Sequence, residues 1–203
     1  MRAVRHPLLA LLPVLVLVSA LTACSEDAAD DDEKPFAYAS ELQAPDPEEY
    51  SEDGGDVHPN RDNAFVELEL DSGAELVVWI DPDDIRQVLV QHSDPRDPEA
   101  WTEPRPIFVA GDGCLEVGAG TDGTTVAVAL GCYVDDAFEQ QAPDQGAALV
   151  TSDLRTWELD DELGEFACDE PEVEDGEVVF QNDIYDDRSV TWTPDDGFDD
   201  QDS

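Results

Sequence analysis

The four cysteines of this 203-residue chain carry its most distinctive chemistry. Cys24 stands apart, at the end of an N-terminal apolar run. Cys114 opens and Cys132 closes the stretch "CLEVGAGTDGTTVAVALGC", which reads as strand, turn, strand. The two thiols therefore fall near one another across a hairpin and are expected to oxidise outside the cytoplasm. The register of a simple two-residue turn misses by one residue, which a β-bulge absorbs. Cys168 holds nearly the place of Cys114 in a later, similar stretch and competes for Cys132. A metal centre fits poorly, because a cysteine trio without a nearby histidine is rarely one in an oxidising compartment. His58 and His92 read as loop residues far apart in sequence.

Other catalytic arrangements are absent from the sequence. There is no Gly-x-Ser-x-Gly, no His-Glu-x-x-His and no phosphate-binding loop. Carboxylates are so abundant that no pair of them identifies a general acid and base. Asp53, Asp56 and Asn60 lack the spacing of a calcium loop. The rims "DPDD" (81–84), "YDD" (185–187) and "PDDGFDD" (194–200) supply oxygens for a divalent cation, with no spacing that guarantees convergence. Diffuse salt screening of these rims is the expectation, and a divalent-cation-binding surface protein is an alternative. The residues thus suggest no catalytic set, no cofactor and no metal site.

The chain begins with Arg2 and Arg5 ahead of an apolar run from Leu8 to Leu21, the pattern of a secretory signal peptide over 1–23. The run is shorter than the ~20 residues of a membrane-spanning helix and contains Pro13. The junction Leu21-Thr22-Ala23-Cys24 resembles the lipobox of bacterial lipoproteins. That resemblance implies a diacylglyceryl thioether on Cys24, which becomes the mature N-terminus. The expected address is the extracytoplasmic face of the cell membrane. Each buried CH₂ of an acyl chain contributes about 0.8 kcal/mol, so two or three chains make the attachment durable.

The sequence has 52 acidic and 9 basic residues, and loss of Arg2 and Arg5 with the signal leaves 7 bases. A net charge near −45 repels phosphate backbones and anionic headgroups, which excludes nucleic acid as a partner. Cationic, carbohydrate or protein partners stay open. Residues 24–61 are acidic, dotted with proline and nearly free of aliphatic side chains. They read as a disordered, extended tether between lipid and domain.

From 62 to 198 the pattern changes to short strands separated by turns, and 199–203 reads as an acidic tail. "AFVELELDSGAELVVWI" turns at Gly73, the cysteine-flanked stretch at Gly123, and "EPEVEDGEVVF" at Gly176. These turns recur at intervals of 50 and 53 residues, an internal repeat of antiparallel hairpins. A tryptophan follows each: Trp101, Trp157 and Trp192. "VLVQHSDPRDPEAWTEP" aligns with "VVFQNDIYDDRSVTWTP", and "ALVTSDLRTWEL" is a compact version.

The piece Thr151–Trp157 resembles the Ser-x-Asp hairpins of sialidase-like and glycosidase β-propellers. The resemblance implies that Asp97 and Asp153 bond the backbone of their own turns while Trp101, Trp157 and Trp192 pack between repeats. It departs from the family in lacking the turn glycine and in offering three units where propellers close with five or more. The expected fold is all-β, a partial propeller-like domain of hairpin repeats, with a homo-oligomer as one way to complete the ring. The expected function is a non-catalytic binding or interaction module on a membrane-anchored lipoprotein. A carbohydrate-active hydrolase is the alternative, and the six arginines left after removal of the signal make it the weaker one.

Overall fold

The computed structural model describes residues 35–46, 50, 59, 63–111, 113–133, 143, 145–166, 170–182 and 188–202, the last three without side-chain detail. The signal peptide, Cys24, Asp53, Asp56, His58, Asn60, Cys168 and the 185–187 rim lie outside them. Among the described residues every regular element is a β-strand, and none is a helix long and apolar enough to cross a membrane.

The strands form three antiparallel sheets in chain order. The first contains β1 (Phe65–Glu69), β2 (Glu75–Ile80), β3 (Gln87–Asp94), β4 (Asp97–Trp101) and β5 (Arg105–Val109), with β4 and β5 both paired to β3. The second runs β6 (Gly113–Thr121), β7 (Val126–Tyr133), β8 (Gln145–Thr151), β9 (Glu158–Asp160). The third runs β10 (Glu172–Glu174), β11 (Glu177–Gln181), β12 (Arg188–Thr193), β13 (Gly197–Asp202). In each sheet the first two strands are joined by one of the recurring turns, and Gly73, Gly123 and Gly176 have φ of 82°, 96° and 82°. Asp175, before Gly176, has φ of 53°. Two successive left-handed residues make the tight turn whose twist suits a hairpin.

Face-to-face packing explains the composition of the second sheet. Its strands β7 and β8 are buried almost throughout. Val126, Val128, Leu130 and Leu149 meet Leu76, Val78, Ile80 and Val88 of the first sheet. On the opposite face Ala127, Ala129, Ala148 and Val150 meet Phe166, Phe180 and Trp192. Small side chains on one layer make room for aromatic rings on the other, so packing stays dense. Gly146 belongs to the same fit, because a Cβ there would sit 2.6 Å from the Cβ of Phe166.

The outer face of the first sheet does not face solvent alone. Val77, Trp79 and Trp101 form a third apolar cluster with Ala44 from the N-terminal segment packed on it. Ser40 bridges Trp101 through two backbone hydrogen bonds of 3.0 Å, and the Tyr50 hydroxyl donates to the Ile80 carbonyl at 2.6 Å. The compact unit begins at Pro35, so residues 35–46 and Tyr50 of the expected tether lie on the sheet, while most of the rest of 24–61 lies outside the described residues. Backbone hydrogen bonds, Ala44 and a few aromatic residues hold the segment to the sheet.

Two further expectations change. Residues 199–203 are not a tail as far as Asp202, which ends β13 paired along β12, with Phe198 opposite Trp192. Trp192 is also one strand out of step with Trp101. Trp101 ends the fourth strand of its sheet, whereas Trp192 lies in the third. Matching the two stretches by their Gln and Trp equates β3–β4 with β11–β12, which are the third and fourth strands of one sheet and the second and third of the other. Finally, no sheet closes into a barrel or a propeller ring, and the three sheets stack in sequence.

Candidate functional site

The residues singled out in sequence are distributed over three sheets and do not converge. The Asp153 carboxylate accepts from the amides of Arg155 at 2.8 Å and Thr156 at 2.9 Å. Burial opposes its charge, but the amides of Thr156 and Arg155 outweigh that and hold its pKa below the usual value. The turn closes without glycine, Leu154 itself taking φ of 60°. Asp97 accepts weakly from Glu99 at 3.3 Å, and Asp94 makes the shorter cap on Arg96 at 2.9 Å. Trp101 lies in the outer cluster, Trp157 packs against the first core, and Trp192 donates its indole N–H to Glu158 at 2.9 Å. Cys114 and Cys132 are bonded to one another, with the register shift between Cys114 and Glu116 that the spacing required.

Two arrangements were not legible as sites. The first is a groove of about 790 Å³ along β10. Its lining includes five carboxylates, from Glu170, Glu172, Glu174, Asp175 and Glu177, with Pro171, Val173 and Val179 as apolar wall and no basic residue among the described residues. Its shape depends on neighbouring turns. The Asp122 carboxylate accepts from Thr124 and Thr125 in its own turn and reaches the amide of Gly176 at 2.8 Å. Burial opposes the charge of Asp122, yet these donors hold its pKa down at about 2. Gly120 of β6 lies against the Pro171 carbonyl, where any Cβ would collide. Together they pin β10 beside β6 and expose its alternate carboxylates. The signal in sequence was the alternation of "EPEVEDGE", diluted by the acidity of the whole chain.

The second arrangement surrounds His92, which lies on β3 and not in a loop, only 5% exposed. Phe36 and Tyr38 of the N-terminal segment meet the imidazole edge-on, with ring centroids 4.4 and 5.5 Å away. Arg155 lies over Phe36 at 3.7 Å. Arg105 donates to the carbonyls of Arg155 and Leu154, so it ties β5 to the turn between β8 and β9. Neither ring nitrogen of His92 has a hydrogen-bond partner. Burial lowers its pKa to about 4, and Arg105 and Arg155 push the same way. The nearby Ser93 backbone favours the charged ring but lies outside hydrogen-bonding geometry.

No protein-family model matches the chain, and no curated protein sequence matches it.

Proposed function

We propose that the chain is a lipid-anchored, extracytoplasmic interaction module whose β10 groove takes a cationic segment of a partner protein. The observation that carries this reading is the groove itself, where five carboxylates and an apolar wall occur together with no lysine or arginine among the described lining residues. A lysine- or arginine-bearing segment would supply positive charge, and its aliphatic stems would lie on Val179, which shares a sheet face with Glu172, Glu174 and Glu177. The lipobox at Leu21–Cys24 supports the attachment, and the Cys114–Cys132 disulfide suits an oxidising compartment.

Four of the six arginines that follow the signal are engaged within the fold, which favours this reading over a hydrolase that binds an acidic sugar. Arg86 forks onto Asp84, Arg105 is spent on carbonyls, Arg155 on Phe36, and Arg188 lies over Phe166. We read the three sheets as blades of the propeller type in an open stack. The N-terminal segment covers one end, and Glu177, Gln181, Ser189 and Thr191 make the other end polar, which supports a module that works as a single chain.

The test is calorimetric titration with a hexalysine peptide in physiological salt. Glu172→Gln, Glu174→Gln and Glu177→Gln together are compared with Asp160→Asn, Asp161→Asn and Glu162→Gln, which remove equal charge from another surface. At about 0.5 kcal/mol per lost ion pair, the groove variant weakens binding about tenfold and the control less than about twofold. Equal losses would show attraction by net charge alone and refute the groove.

A further inference from the structure

Residues 35–46 and Tyr50 form a strap across the first sheet, and its contacts are of two kinds. Some have no titratable partner and yield only when the segment as a whole lifts: the Ser40–Trp101 bridge, and the side chain of Gln91, which accepts from the Gln43 amide at 2.7 Å and donates to the Glu41 carbonyl at 3.2 Å. The other contact is aromatic, Phe36 and Tyr38 closed over the His92 ring. That second contact suits the neutral imidazole better than the charged one. An imidazolium has two N–H donors and needs two acceptors, and both ring nitrogens here are buried without one.

We propose that residues 35–46 are a releasable strap and that His92 is its acid-sensitive latch. The charged groups around the latch all bear on this. Arg105 from β5 and Arg155 from the β8–β9 turn are the cations acting on the ring, and both oppose its protonation. Asp153 acts on Arg105, and Asp94 acts on Tyr38. Opposite His92 on β2 stands Leu76, which carries no charge. A proton on His92 therefore adds a third cation to Arg105 and Arg155 in a space closed by two aromatic rings. Opening the strap admits water to the ring nitrogens and relieves both penalties.

The sign follows from the depressed pKa. Docking favours neutral His92, so strap stability is complete above the ordinary pKa of about 6.5 and declines as pH falls toward about 4. Release changes reach. The ten residues from Ser25 to Lys34 span at most about 35 Å, and freeing the twelve residues 35–46 adds up to roughly 40 Å. This change of reach from the membrane rests on the lipid-anchor reading, whereas the latch itself does not.

Hydrogen exchange on the purified chain tests the latch, with the amides of Ser40 and Gln43 as strap reporters and those of Val128 and Leu149 as reporters of the central sheet. After correction for intrinsic rates, strap protection should fall about 100-fold between about pH 7 and pH 4 while the central sheet stays protected. His92→Phe keeps an aromatic ring in the space and should keep the strap protected at the lower pH. The proposal is overturned by a strap that stays protected in the unmodified chain, by equal loss in His92→Phe, or by loss of the central sheet in step with the strap. Should His92→Phe not fold, His92→Leu serves the same comparison, and an NMR titration of the unmodified chain decides. There an imidazole pKa near 4 supports the latch and one near 6.5 overturns it.

Discussion

Reduction of the disulfide between Cys114 and Cys132 should lower stability by an amount that the loop length sets. The two residues are 18 apart in sequence and both are fully buried, so the folded state has little room to change when the bond is cut. The main effect falls on the unfolded chain, which gains the freedom of an open loop. In the chain-entropy treatment a loop of this length corresponds to about 11 cal/mol/K, or roughly 3 kcal/mol at room temperature. For a domain of this size each kcal/mol shifts the melting temperature by about 2–4 °C, so the expected fall is about 6–12 °C. Scanning calorimetry with and without reductant measures it, with mass spectrometry of alkylated thiols to confirm complete reduction. Cys168→Ser should leave both the link and the oxidised melting temperature unchanged. A fully reduced protein that melts within about 2 °C of the oxidised one would refute the reasoning, because the unfolded hairpin would then have had no freedom to gain.

Asp122 makes a pH-dependent contribution of predictable sign. Its pKa is held down at about 2 in the folded chain, so its share of stability is present above about pH 4 and is lost as pH falls toward 2. Discounted for partial exposure, that share is about 1 kcal/mol. Denaturant melts should show Asp122→Asn less stable at neutral pH, with the gap closing in acid; a constant gap counts against the carboxylate's role. Attachment is tested by Cys24→Ser, which should move the protein from the membrane fraction to the soluble one. Equal membrane partitioning of variant and unmodified chain would refute lipidation.

The hairpins were legible because their information is local. Alternating apolar residues, a turn glycine and a cysteine at each end of a strand pair need only their neighbours to be interpreted. Thus Gly73, Gly123 and Gly176 marked three turns, and the single-residue excess between Cys114 and Cys132 marked the bulge. Trp192 misled because its match to Trp101 rested on residue types around a connection of different length. The strap misled for another reason. Its composition is that of a solvated linker, and composition averages away the two or three aromatic side chains that meet a specific partner surface.

By itself, then, the sequence determined what short-range chemistry determines: an all-β chain of repeated hairpins, a cysteine pair across one of them and a strong negative charge, and it raised the expectation of a leader with a lipobox-like end that the Cys24→Ser test addresses. Tertiary structure decided the rest. It set the order in which the sheets stack, placed Gly120 against Pro171 so that β10 borders a groove, and brought Phe36, Tyr38, Arg105 and Arg155 around His92. These are contacts between residues tens of positions apart, and the properties that matter there arise from exclusion of water. A histidine in a chain has two nitrogens open to solvent. The same histidine with 5% of its surface exposed and no acceptor for either nitrogen resists a proton, and only the fold around it can impose that.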